Sequence, residues 1–354
     1  MKTAIIKLDA EFPDLKMIAQ CAKVIRSGGL VGFPTETVYG IAADFSNPKA
    51  MERLRAVKKR DAVKPFSILV SQPGLISNYT HSTDPKIFKL IDAYWPGPLT
   101  VVVPAKEEGQ TVGVRMPDHP IALRLVQEAQ CPIAAPSANH EGNEPPKNCE
   151  EALRDLDGQI DVIIDGGESR IGIGSSVVDV TSEKPRILRE GVITQQDVDR
   201  ITGTKTVLFV CTGNSCRSVM AEYLLKSKAQ GRDDIEIISA GTGVYLRSTA
   251  SSETVAVLLE EGIDAAGHIA QPINSVLLKK SDLIIVMTRS HREQVIERVP
   301  AVEQRVYLLK EFSNAASNGQ NNIDVPDPIG QPRSAYKVCL EDIKQAIQKI
   351  AQLV

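Results

Sequence analysis

Apolar residues in this chain come in short runs whose spacing alternates between strand and helix periods. Lys2 to Leu8 alternates apolar and polar residues, which predicts a strand with one face exposed. Leu15 to Ile25 has the spacing of an amphipathic helix, stopped by Ser27-Gly28-Gly29, and Leu30 to Phe33 predicts the next strand. A helix is expected over Ala50 to Val57. Short strands are expected at Ile68 to Val70, Leu99 to Val103, Ile133 to Ala135, Val162 to Ile164 and Val177 to Val180, then a brief apolar pair at Ile187-Leu188. Further on, Thr206 to Val210 is apolar without alternation, the pattern of a central strand in a parallel sheet. Met220, Ala221, Leu224 and Leu225 open a helix just beyond it, and Ile235 to Ile238 and Leu283 to Met287 predict two more strands. Strands alternating with helices predict α/β architecture. With 354 residues the chain exceeds one ordinary core, and the polar stretch Gly191 to Thr204 is the natural joint. The expected division is a domain over 1–195, a linker over 196–205 and a domain over 206–354.

The most specific chemistry lies between the strand at Thr206 and the helix at Met220, in Cys211-Thr212-Gly213-Asn214-Ser215-Cys216-Arg217-Ser218. A loop at the carboxyl end of a strand and the amino end of a helix gathers backbone N–H groups that favour an anion. That field stabilises a thiolate at Cys211. Arg217 supplies a planar fork for two phosphoryl oxygens, and Ser218 can hydrogen-bond the sulfur as it leaves. Gly213 and Asn214 tolerate the positive φ needed to curl the loop. A general acid is also required. Asp327 and Asp324 compete for that role within a Gly/Asn/Pro-rich segment, Ser317 to Pro332, and the proline after Asp327 favours Asp327.

This stretch resembles the low-molecular-weight protein phosphatase family over Thr206 to Val354, through Cys-x5-Arg-Ser, Ser239-Ala240-Gly241 and Asp327-Pro328. The resemblance implies a cysteinyl-phosphate mechanism that needs no cofactor. Polar Ser215, and Ile329-Gly330 in place of aromatics, are closest to the bacterial protein-arginine phosphatases, so phosphoarginine is favoured over phosphotyrosine. Arsenate reductases share this loop but relay electrons through further cysteines, and Met287 to Pro300 has none. Cys216 could trap Cys211 in a protective disulfide, or could simply pack beneath the loop.

In the first domain the chemical residues stand where strands end, and a pocket of Lys, Arg and hydroxyls suits a polyphosphate. FPTETVYGIAAD, KKRDAVKPFSILV, WPGPLTVVV, VGVRMPDHP, PIAAPSAN, SSVVDV and ILREGVI occur in that order across residues 1 to 195. In these blocks the region resembles the YrdC-like threonylcarbamoyl-AMP synthases. The resemblance implies ATP, L-threonine and bicarbonate as substrates, Mg²⁺ arriving with ATP, and transfer of the product to tRNA by a downstream modifying complex. By position, Thr35, Ser67, Arg115 and Ser175 would line the threonine end. Lys58, Arg60, Thr111, Ser137 and Arg189 would hold the nucleotide and its phosphates, joined by Lys64, with Asn139 beside them in the ATP site as a support for the Ser137 turn. The implied fold is a twisted mixed-sheet α/β domain followed by a three-layer α/β phosphatase domain with a parallel sheet.

Composition narrows the remaining classes. A formal charge of −3 argues against nonspecific nucleic-acid binding by the whole chain. Six cysteines without paired spacing beyond Cys211/Cys216, and no long apolar run or signal segment, point to a reducing cytoplasm rather than a membrane. The five histidines have no metal-ligand spacing, so no protein metal site is expected. Two other readings stand: a first domain that only grips RNA, and a second that only docks phosphoproteins.

Overall fold

The computed structural model describes residues 2–59, 65–246, 248–313 and 323–354. They form two compact units, Met1–Ser82 with Lys89–Ile201, and Thr83–Phe88 with Thr202–Val354. In chain order the first elements are β1 (Ala4–Lys7), α1 (Leu15–Arg26), β2 (Val31–Phe33), β3 (Gly40–Asp44), α2 (Pro48–Lys58) and β4 (Ile68–Leu69). Next come α3 (Pro85–Tyr94), β5 (Leu99–Pro104), β6 (Thr111–Arg115), α4 (Pro120–Ala129), β7 (Ile133–Ala134) and α5 (Cys149–Leu156). β8 (Val162–Asp165), β9 (Ser176–Asp179), β10 (Arg186–Arg189) and α6 (Gln195–Gly203) follow.

The first unit is built on a ten-stranded sheet ordered β1-β8-β2-β3-β7-β4-β6-β5-β9-β10, with parallel and antiparallel pairs mixed. Side chains leave its central strands toward two separate cores. Val31, Phe33, Ala42, Val162 and Ile164 pack with Ile18, Ala22 and Ile25 of α1 and with Ile121 and Leu125 of α4. Ile41, Ala43 and Ile163 pack with Ala50 and Leu54 of α2 and with Ala152 and Leu156 of α5. Both faces are therefore covered, which explains apolar runs without alternation in β2, β3 and β8. The Asp14 carboxylate accepts the Lys16 N–H at 2.8 Å and caps α1, a contact contributing about 1 kcal/mol. Helix α2 ends on Lys59 in the left-handed conformation, φ 51°, which leaves Lys58 on its buried side.

The second unit holds β11 (Lys205–Cys211), α7 (Arg217–Lys228), β12 (Ile235–Gly241), α8 (Ser252–Glu260), α9 (Ser275–Lys280) and β13 (Leu283–Val286). It closes with α10 (Arg289–Arg298), β14 (Val306–Leu308) and α11 (Arg333–Leu353). Its sheet is wholly parallel, ordered β12-β11-β13-β14. Val207, Phe209 and Cys211 point to the core of α7, α8 and α11, while Leu208 and Val210 point to that of α9 and α10. These are the three layers expected from the sequence. β11 is central and has partners on both sides, so the chain leaves it at the point where the winding direction reverses.

The segment read as a linker is largely helical: α6 occupies Gln195–Gly203, with Val198 fully buried, and β11 begins at Lys205. One apolar residue per turn suffices for a helix docked on a neighbour, a pattern too sparse to detect in sequence. Among the described residues, no helix is long and apolar enough to cross a membrane.

Candidate active sites

β11 ends at Cys211 and α7 begins at Arg217, so the six residues from Cys211 to Cys216 must turn from strand to helix. Asn214 takes the left-handed conformation, φ 50°, and is fully buried. Its Nδ2 donates to Ser218 Oγ at 3.1 Å and Ser239 Oγ at 2.7 Å, while its Oδ1 accepts the Gln271 N–H at 2.9 Å. Its carbonyl lies 2.9 Å from His268 Nε2, and Ser239 passes its own hydrogen to the buried Glu222 carboxylate. The loop is thereby held from four sides. Gly241 lines its back: a Cβ there would stand 2.4 Å from the Thr212 carbonyl oxygen, so only glycine fits.

Cys211 Sγ lies 2.9 Å from Ser218 Oγ, the contact that can stabilise a thiolate. Arg217 is buried, donates from Nη1 to the Val325 carbonyl at 3.1 Å and pairs through Nη2 with Asp327. Its Nε–H has no partner among the described residues, which fits a donor kept for an oxyanion. Asp327, 40% exposed, is brought onto Arg217, whereas Asp324 accepts the Arg289 N–H at 2.8 Å at the start of α10. The two competing aspartates are thus separated by geometry. Cys216 is the N-cap of α7, its Sγ 3.4 Å from Ser251 Oγ, and both loop cysteines are free thiols. Ser215 is half-buried, and its carbonyl accepts the Ser251 N–H at 3.0 Å.

In the first unit a cavity of about 360 Å³ opens where β2, β6 and β10 end and β9 begins. Thr35, Ser67, Thr111, Arg115, Ser137, Ser175 and Arg189 all line it. Arg115 is buried and held from behind, its Nη2 donating to Glu36 Oε1 at 2.7 Å and Thr37 Oγ1 at 2.8 Å. Thr35 Oγ1 accepts the N–H groups of Thr37 and Val38, both at 3.2 Å, in a tight hydroxyl turn. Arg189 donates from Nε to the Ser175 carbonyl and from Nη2 to Ser175 Oγ, both at 3.0 Å. Ser175 Oγ also lies 2.9 Å from Thr100 Oγ1.

Lys58 and Asn139 stand behind the 137–139 turn rather than on the cavity wall. Neither is among the residues lining the cavity. The Lys58 ammonium, 2% exposed, donates to the Ser137 carbonyl at 2.7 Å, to Asn139 Oδ1 at 3.1 Å and to the Asn139 carbonyl. An ammonium surrounded by carbonyls is a support for the 137–139 turn. Asn139 Nδ2 extends that support, donating to the Asn143 carbonyl at 2.7 Å. Arg60 and Lys64 lie outside the described residues. Among the described residues no group of three or more His, Cys, Asp or Glu could hold a metal.

Sequence reading missed Glu36 and Thr37, which orient Arg115, and the buried groups around Asn214, His268 on its carbonyl and Glu222 behind Ser239. It also passed over His291, whose Nε2 is 2.9 Å from Thr212 Oγ1. The signal for Glu36 was weak but present: a carboxylate between two threonines at the end of a buried strand needs a cationic partner.

Known proteins of two different families match the two parts of the chain. A family model described as telomere recombination (Sua5/YciO/YrdC) matches residues 23–191. That of the low molecular weight phosphotyrosine protein phosphatases matches 206–354. A threonylcarbamoyl-AMP synthase of Bacillus subtilis is 37% identical over 195 residues, covering 52% of this chain and 56% of its own length. This chain therefore spans little more than half of that relative. A putative threonylcarbamoyl-AMP synthase of Mycobacterium tuberculosis is 36% identical over 194 residues, 52% of this chain and 89% of its own length. The solved structure of a Sua5 variant from Pyrococcus abyssi superposes with a TM-score of 0.54 at 26% identity, over 86% of this chain and 98% of that one.

Proposed function

We propose that this chain, which belongs to the threonylcarbamoyl-AMP synthase family over its first unit and to the low-molecular-weight protein phosphatase family over its second, is a bifunctional enzyme. In the first unit the reading is carried by one observation: Arg115 and Arg189 line a single cavity among hydroxyls. The L-threonine amine condenses with bicarbonate, with loss of water, to give a carbamate, whose oxygen attacks the α-phosphorus of ATP and expels pyrophosphate. Arg115, with Thr35, Ser67 and Ser175, holds the amino acid; Arg189, Ser137 and Thr111 hold the nucleotide. The pocket acts chiefly by alignment, with fixed cations balancing phosphate charge. No carboxylate lines the cavity among the described residues, so Mg²⁺ would be held by the phosphates of the ATP it accompanies. The product would go on to a complex that modifies an adenosine in tRNA.

The test is pyrophosphate release by the full chain supplied with ATP, bicarbonate and Mg²⁺, with and without threonine. Threonine-dependent release is expected. Arg189→Ala should lower it by about tenfold or more, since it removes a charge-assisted phosphate contact. Release that ignores threonine would overturn the substrate assignment.

In the second unit the reading is carried by the joint placement of Cys211, Ser218, Arg217 and Asp327. Cys211 attacks phosphorus, Asp327 gives a proton to the departing group, and a cysteinyl phosphate forms. Water then attacks the phosphorus with Asp327 as base, and the Ser218 hydroxyl stabilises the thiolate that leaves. Phosphoarginine is the favoured protein substrate over phosphotyrosine. Support comes from half-buried, polar Ser215 in the loop and from Ile329-Gly330 where an aromatic would face a tyrosine ring. Rates on the two phosphoresidues, measured side by side, decide the preference, and a wide margin for phosphotyrosine would sink it. Asp327→Ala should slow hydrolysis of an aryl phosphate by roughly 100- to 10,000-fold. An unchanged rate would pass the acid's role to another residue.

A further inference from the structure

His291 is a buried histidine that the phosphatase chemistry above leaves unused. It stands in the first turn of α10, with Nδ1 2.9 Å from Thr288 Oγ1 and Nε2 2.9 Å from Thr212 Oγ1. Thr288 is the N-cap of that helix, and its Oγ1 accepts the His291 backbone N–H at 3.3 Å. With an oxygen lone pair engaged by the backbone, the Thr288 hydroxyl satisfies itself best by giving its hydrogen to Nδ1. A neutral imidazole whose Nδ1 accepts carries its proton on Nε2. Nε2–H then donates to Thr212 Oγ1, and the hydrogen of Thr212 is left for another acceptor. Thr212 is exposed and occupies the second position of the phosphate loop.

We propose that Thr288, His291 and Thr212 form a directed hydrogen-bond relay that presents the Thr212 hydroxyl hydrogen to a phosphoryl group held in the loop. His291 is then a positioning residue, and Thr212 a donor that touches substrate. The proposal deepens the phosphatase reading and rests on it. Three charged groups act on the ring: Arg217 from α7, and Asp327 and Asp324 from the segment that carries the general acid. Burial first, and Arg217 second, pull the His291 pKa down to about 4 against the two aspartates, so the ring stays neutral. Because this value lies below the ordinary 6.5, the group favours folding above that pH and loses its contribution as pH falls toward 4.

The test uses the full chain labelled with ¹⁵N in its histidine rings, with His291→Gln to assign the signal. Long-range ¹H–¹⁵N spectra should show His291 protonated on Nε2 and bare on Nδ1, and still neutral well below the ordinary histidine pKa. In kinetics, Thr212→Val should lower kcat/KM for a phosphorylated substrate about tenfold, the worth of one hydrogen bond to a charged group. Thr212→Ser should restore it. Thr288→Ala should lower kcat/KM in the native background but add nothing to Thr212→Val, because both act through one hydroxyl. A proton found on Nδ1, an ordinary titration of the ring, or additive losses in the double variant would each overturn the relay. Absence of turnover on any phosphorylated substrate would overturn the phosphatase reading and the role given to Thr212, while the spectra judge the tautomer independently.

Discussion

Replacing Cys211 with serine is expected to abolish phosphatase turnover, lowering kcat by about four to six orders of magnitude, while phosphate still binds. A serine hydroxyl in this loop is a far weaker nucleophile than a thiolate at neutral pH, and the reaction has no other covalent route. Binding should survive because its determinants lie elsewhere, in Arg217, in the loop's N–H groups at the start of α7, and in the Asn214 scaffold behind them. The contact with Ser218, 2.9 Å in the native chain, is available to a hydroxyl as well. Stopped turnover together with near-native affinity for inorganic phosphate, measured by calorimetry, is the expected pair of results. A serine variant that keeps even a few per cent of native turnover would exclude Cys211 as the nucleophile.

The second large effect concerns Arg115, which faces the cavity but is tied behind it to Glu36, with side-chain exposures of 10% and 1%. Truncating Arg115 to alanine strands a carboxylate whose other oxygen, Oε2, already has no partner among the described residues. Breaking a buried pair from one side costs about 3–5 kcal/mol. For a unit of this size that lowers the unfolding midpoint by roughly 10 °C. Pyrophosphate release should disappear as well. The double variant Arg115→Met/Glu36→Gln separates the two effects. Without a stranded charge it should recover most of the stability, since neutral residues of similar size replace buried pairs at little cost. Its synthase activity should stay lost, because the hydroxyls of Thr35, Ser67 and Ser175 that remain carry no charge to balance a carboxylate. Calorimetry that finds Arg115→Ala as stable as the native chain would show that Glu36 does not depend on it.

The phosphate loop was legible because its chemistry is contiguous. Strand, Cys211, the curling Gly213-Asn214 pair, Arg217 and helix follow one another within about a dozen residues, and local geometry carries the Cys211 thiol to the helix terminus. The two α/β sheets were legible for a related reason, since strands covered on both faces leave continuous apolar runs such as Leu208 to Val210. Three strands were hidden, β3, β6 and the three-residue β14. β3 is a buried run of Gly, Ile, Ala and Asp with little of the β-branched density that marks a strand, and β6 is interrupted by Gly113 and exposed at its start, which blurs its pattern.

What the chain order alone determined was the class of each unit, the place of Cys211 at the head of its loop and most of the polar residues that meet in the first cavity. Tertiary structure decided which of those residues line the cavity and which hold others in place. Lys58 had the charge of a phosphate ligand, yet its ammonium is taken up by carbonyls of Ser137 and Asn139, about 80 residues away. Asp327 rather than Asp324 meets Arg217 because the Asp324 carboxylate is engaged by the first N–H of α10. Glu36 finds Arg115 across 79 residues, and His291 finds Thr212 across the same interval. A buried polar group must be satisfied, and sequence states that requirement without naming the partner, because only the packed sheet brings distant residues within 3 Å.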